Sequence, residues 1–254
     1  MNWLIKIMGS WVTLVLVLAG AYALYRYQNP VAVARFALTV EVEADGKLVS
    51  GTSVMEGRFW KSNAPIGMPY GSTFEGEAVV VDLGPRGLLF ATLWIAGPVR
   101  PILEGDELPS RGGVFMLPEI VFKRTHQIPR DQDVPVESDT RITQRLALEK
   151  LVGCADLEPK EWPLLVRFGD PKDPSTVKHV TPLDLAASFG TGVALKRMTI
   201  CMSKSELTND IDTRLPWLGD DIGKRLNSIK NPPNVPYRGV WQLITHGAFK
   251  DHRK

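Results

Sequence analysis

Catalytic signatures are missing from this chain. There is no GxSxG elbow and no glycine-rich dinucleotide fingerprint, which excludes enzymes that announce themselves in sequence but not an enzyme whose site assembles from distant residues. Histidine is scarce, and His126, His179, His246 and His252 show none of the spacings that place two imidazoles on one metal. Cysteine is scarcer still. Cys154 and Cys201 sit in no CxxC pair and near no histidine, so the residues name no metal and no cofactor.

Concentrated charge is lacking too. The net charge of +2 arises from scattered side chains, with short basic clusters only at Lys123-Arg124, Lys224-Arg225 and the tail Lys250 to Lys254. Nucleic-acid binding calls for a basic stripe with interleaved aromatics, and none is present. No Asn-x-Ser/Thr sequon occurs, so nothing marks a glycosylated ectodomain. Gly219-Asp220-Asp221-Ile222-Gly223-Lys224-Arg225 imitates a phosphate loop, but it has three residues between the glycines where four are needed, and Arg225 where Ser or Thr should bind Mg²⁺. The carboxylate pairs Asp170/Asp173 and Asp210/Asp212 are read first as turn formers, because proline and polar neighbours flank them.

What is present is an uncharged run from Ile7 to Tyr25, IMGSWVTLVLVLAGAYALY. At about 1.5 Å per residue such a helix is close to the roughly 30 Å hydrocarbon thickness of a bilayer. Trp3, Trp11, Tyr22, Tyr25 and Tyr27 flank it with rings suited to membrane interfaces. The expectation is a single-pass anchor over residues 1–28, joined to the membrane through residues 7–25. The competing reading is a cleaved signal peptide ending at Ala21-Tyr22-Ala23. The flanking charges tie, with Lys6 and the amino terminus on one side and Arg26 and Arg35 on the other. Resemblance to an export signal then places the large domain outside the cytoplasm, in a bacterial periplasm.

The remaining chain is long enough for a real core. Phe36, Leu38, Val40 and Val42 alternate along one face of a strand, Asp45-Gly46 marks a tight turn, and Lys47 to Val54 alternates again, which reads as a hairpin. A second hairpin joins Glu77–Leu83 to Leu88–Ile95 through Gly84-Pro85-Arg86-Gly87, and its runs AVVV and LLFATLW are apolar on both faces, as in strands buried from two sides. Between them, Lys61 to Ser72 reads as an ordered loop. Gly113 to Lys123 is predicted as a strand demoted to an edge by Pro118.

Further along, Ser138 or Asp139 caps a predicted helix running to about Val152. Leu164–Phe168 and Gly192–Met202 read as strands, Thr181-Pro182 opens a helix over Pro182–Ser188 stopped at Gly190, RLPWLGDDIGKRL reads as a short helix and Gly239–Thr245 as a final strand or helix. The predicted class is α+β: an N-terminal transmembrane helix, a β-rich lobe over 29–125, a linker or long loop over 126–140, and a smaller mixed α/β lobe over 141–254. Trp60, Trp94, Trp162, Trp217 and Trp241 are expected mainly as packing anchors. Cys154 and Cys201 fall in the same lobe and are predicted to form a disulfide, with Cys154 at the end of the helix before Leu164.

The expected function is binding, to a protein partner or an envelope component, by a membrane-anchored domain. The alternative is a membrane-tethered, hydrolase-like enzyme with its site between the lobes, whose catalytic residues the sequence does not name.

Overall fold

The chain reverses at Asp45-Gly46, where both residues take positive φ (52° and 74°), the conformation a two-residue hairpin turn requires. Strands β1 (Val31–Ala44) and β2 (Lys47–Lys61) therefore pair along their whole length, from Ala44 opposite Lys47 to Val31 opposite Trp60. Burial along β1 alternates without a break: Phe36, Leu38, Val40 and Val42 are fully enclosed, and the odd-numbered residues face outward. These structural relationships come from a computed structural model that describes residues 2–62, 69–96, 113–135, 139–218 and 249–252, without the side chains of 2–10 and 252.

Two antiparallel sheets follow. The first runs β10-β3-β2-β1-β9-β6, adding β3 (Tyr70–Glu77), β6 (Cys154–Asp156), β9 (Val193–Met202) and β10 (Lys250–His252). The second runs β4-β5-β7-β8, from β4 (Val79–Asp82), β5 (Leu88–Ile95), β7 (Pro163–Phe168) and β8 (Val177–Val180). The described chain is thus mixed α+β. Both sheets take strands from either side of the 126–140 segment, so backbone pairing of β1 with β9 and of β5 with β7 knits the two halves of the sequence together.

The inner face of the first sheet packs on one face of the second, along with α2 (Leu117–Arg124) and α3 (Thr140–Lys150), in a single apolar core. At Gly51 the two sheets approach so closely that a Cβ there would run into the Val80 carbonyl oxygen. The other face of the second sheet is closed by Ile211, Leu215, Trp217 and Phe249, with Phe90, Phe168, Trp217 and Phe249 in edge-to-face and tilted contact. β5 is consequently buried on both sides, as its sequence implies. Glu77, fully buried, holds this cover in place by accepting from the Asp210 and Ile211 amides at 2.8 and 2.9 Å while Lys250 approaches to 3.5 Å.

Several expectations are corrected. Gly113–Lys123 is not a strand: Val114–Met116 forms a 3-10 turn leading into α2, where Pro118 occupies the first turn and Leu117, Val121 and Phe122 share a buried face. β3 begins at Tyr70, inside the span read as loop, and residues 63–68 lie outside the described residues. α3 is capped by Asp139, which accepts from the Ile142 amide, and ends at Lys150; Ser138 lies outside the described residues. Cys154 therefore belongs to strand β6 and not to the helix end.

The helix expected over Pro182–Ser188 shrinks to α4 (Ala186–Phe189), because Thr181 to Asp184 close a turn and the Asp184 side chain accepts from the Ala187 amide. Gly190 stops it at φ 89°. In RLPWLGDDIGKRL, residues 214–226, the described part is not the expected helix: α5 (Ile211–Arg214) lies ahead of it and ends at Arg214, and a 3-10 turn follows over Pro216–Leu218; residues 219–226 and Gly239–Thr245 lie outside the described residues.

Ahead of the sheets, α1 (Asn2–Gln28) is one unbroken helix whose described side chains, from Trp11 onward, are all exposed, Leu16 at 67% and Tyr22 at 65%. Among the described residues, no helix is long and apolar enough to cross a membrane. The start of the uncharged run, Ile7 to Ser10, lies outside the described side chains.

Candidate functional site

The hairpin register decides what meets at the helix-proximal end of the first sheet. A two-residue turn at 45–46 places Arg35 opposite Glu56 on the outer face. The Arg35 guanidinium donates twice to Glu56 Oε2, from Nε at 3.0 Å and Nη2 at 2.6 Å, and Arg58 Nε donates to Oε1 at 2.8 Å. The Glu56 side chain is only 5% exposed. Burial opposes its charge, but the two guanidiniums outweigh burial and leave the carboxyl below the usual carboxylate range. A carboxylate held this way is a structural acceptor, since proton transfer near neutrality calls for a pKa raised towards the working pH.

Arg35 also donates from Nη1 to the Ser205 carbonyl oxygen at 3.0 Å, and its own carbonyl accepts from the Ser203 amide at 2.9 Å. Beyond that point the chain crosses to β2, where Thr208 and Val54 bond through both backbone and hydroxyl. An open groove of about 450 Å³ results, walled by Val33 and Arg35 of β1, Leu151 and Val152 after α3, Met202 at the end of β9 and Lys204 beyond it. Val152 is 85% exposed, and Glu149 and Lys204 stand exposed on the rim. The groove combines apolar side chains with two rim charges, Glu149 and Lys204, that form no ion pair among the described residues.

The disulfide lies at the base of two of these walls. Cys154 and Cys201 are directly paired across β6 and β9, their sulfurs bonded and their Cα atoms 4.0 Å apart, while Met202 donates to the Gly153 carbonyl beside them.

The remaining candidates disperse. Asp170 and Asp173 accept from the Lys172 and Ser175 amides in a surface turn, and Asp212 pairs with Lys250. Ser175 and Lys178 have the Ser-x-x-Lys spacing of some acyl-enzymes, but a 3-10 turn runs into β8 between them and they share no helix. His126 sits in a turn at φ 60°, and His179 on β8 has its pKa lowered by burial. His246, Trp241 and the Gly219–Arg225 segment lie outside the described residues, as does the His252 side chain. Trp162 and Trp217 are packing anchors whose indoles donate to the Leu157 and Pro171 carbonyls.

No motif pointed to the groove, because its walls come from residues 33–35, 149–152 and 202–204. The Arg35–Glu56 pair alone was readable, by counting outward from the Asp45-Gly46 turn. No protein-family model, curated protein or solved structure matches this chain.

Proposed function

We propose that this chain is a membrane-anchored recognition protein: α1 seats the protein in the bilayer as a single span, and the α+β domain, held outside the cytoplasm in the bacterial envelope, binds a protein partner or envelope component. The observation that carries the anchor is the exposure of α1. Val12, Leu14, Val15, Leu16, Val17 and Leu18 cover every side of the helix and all are exposed. A helix apolar all round is stable only in apolar surroundings, and the uncharged sequence continues this character back to Ile7. The groove supports binding over catalysis, since its one buried carboxylate is already engaged by two guanidiniums.

Fractionation tests the anchor. The full chain is expected to remain with membranes through high-salt and carbonate washes, and a chain starting at Asn29 to be released. A mature form beginning at Leu24 in the soluble fraction would refute the anchor in favour of a cleaved signal.

A further inference from the structure

β1 is longer than its neighbour on one side. It pairs with β2 from Val31 to Ala44, but with β9 only from Phe36 onward, and the Ser203 amide on the Arg35 carbonyl is the last rung. Hydrogen-bonding direction alternates along a strand with period two. Arg35 bonds towards β9, so Val33 directs its N–H and C=O the same way, into the groove, while Ala32 and Ala34 serve β2. Among the described residues nothing bonds the Val33 amide or carbonyl. The result is a short open strand edge beside an apolar floor. Soluble proteins ordinarily cover or blunt such edges.

The rim adds polarity. Glu149 and Lys204 are both exposed and neither forms an ion pair among the described residues, while Glu56, Arg35 and Arg58 satisfy one another. The groove thus offers the open N–H and C=O of Val33, a cation on one wall and an anion on another. Val33 lies five residues beyond Gln28, within about 18 Å of the helix end by the reach of an extended chain.

We infer that the Val33 edge of β1 receives an extended segment of a partner protein, added to the first sheet as a further strand, with an acidic side chain meeting Lys204 and a basic one meeting Glu149. Ladder hydrogen bonds supply affinity in this mode and side-chain pockets supply register. The inference rests on the anchored-domain reading, which makes the partner an envelope protein presenting an extended stretch near the membrane surface.

The test uses the full chain in lipid nanodiscs and a synthetic extended peptide, Asp-Val-Thr-Val-Thr-Val-Lys, with an N-methylated copy as control. The peptide is expected to slow amide exchange at Val33, and the methylated copy not to. Val33→Pro removes the edge N–H, fixes φ and leaves the rungs to β2 in place, a change an edge strand accommodates, so the melting temperature should hold while peptide binding weakens tenfold or more; Val33→Ala, which keeps the N–H, should bind more tightly than Val33→Pro. Exchanging the rim charges, Lys204→Glu with Glu149→Lys, should move the preference to the peptide with Asp and Lys exchanged.

Unchanged binding by Val33→Pro, or no reversal of preference, would overturn the inference. Protection of Val33 that rises with protein concentration in the absence of peptide would overturn it in favour of a second copy of the chain. The anchor is judged separately: release from membranes with Val33 still protected by peptide refutes the anchor and supports the strand addition.

Discussion

Cys154 and Cys201 face each other at a position of the β6–β9 pair where the backbones exchange no hydrogen bond, since the Met202 amide reaches past them to the Gly153 carbonyl. Side chains approach most closely at such positions. The bond fastens the three-residue β6 to the sheet and ties together the two segments, 149–152 and 202–204, that wall the groove.

Opening this bond is expected to destabilise the domain. The sequence separation of 47 corresponds to about 4 kcal/mol in the chain-entropy treatment. Urea unfolding of the Cys154→Ser, Cys201→Ser double variant should show a midpoint well below that of the oxidised protein. Identical midpoints would mean that backbone pairing alone secures β6.

Val81 is fully buried on β4 opposite Leu89, between the two sheets. Val81→Asp places a charge there without a partner, at a cost of several kcal/mol. The variant should lose its cooperative thermal transition, and wild-type melting would contradict the placement of this strand in the core.

Gly51 has an ordinary strand backbone, so its role is space and not conformational freedom. Gly51→Ala sets a methyl group against the Val80 backbone carbonyl, which cannot rotate away. Overpacking of this kind costs about 1–3 kcal/mol. Gly57→Ala, on the same strand with nothing within 4 Å of the new Cβ, serves as the control and should melt close to wild type.

Acid should weaken the fold in two stages. His179 has a folded pKa lowered by burial, so below the ordinary imidazole value of about 6.5 the unfolded chain takes up the proton first and stability falls. Glu56 is opposed by burial but lowered on balance by Arg35 and Arg58. Its contribution is complete above the ordinary glutamate value of about 4.3 and disappears as pH drops through the lower folded value. Denaturant midpoints measured from pH 8 to 3 should decline first near 6.5 and again below 4.3. His179→Gln should flatten the first decline, and Glu56→Gln should make the second shallower, with the other ion-paired carboxylates still contributing to it, while costing about 1–3 kcal/mol at neutral pH. A wild-type midpoint constant between pH 7 and 5 would refute the role of His179.

The sequence by itself determined what depends on neighbours along the chain. Alternation in β1, the positive-φ pair Asp45-Gly46, the two-sided apolar character of β5 and the Asp139 cap are all local, and each appears at or within a few residues of its expected place. Tertiary structure decided the rest. Gly113–Lys123 carries an apolar pattern that suits a strand or a helix, and the pocket between the first sheet and α3 selects the helix.

Pairing of β1 with β9 and of β5 with β7 joins strands that are far apart in sequence, where nothing local specifies a partner. The groove depends on that pairing twice over: β9 must stop opposite Phe36 to leave the Val33 edge open, and the disulfide must bring 149–152 beside 202–204. Local propensity can place a turn to the residue, but which faces and edges meet is set by burying apolar surface across the whole chain at once.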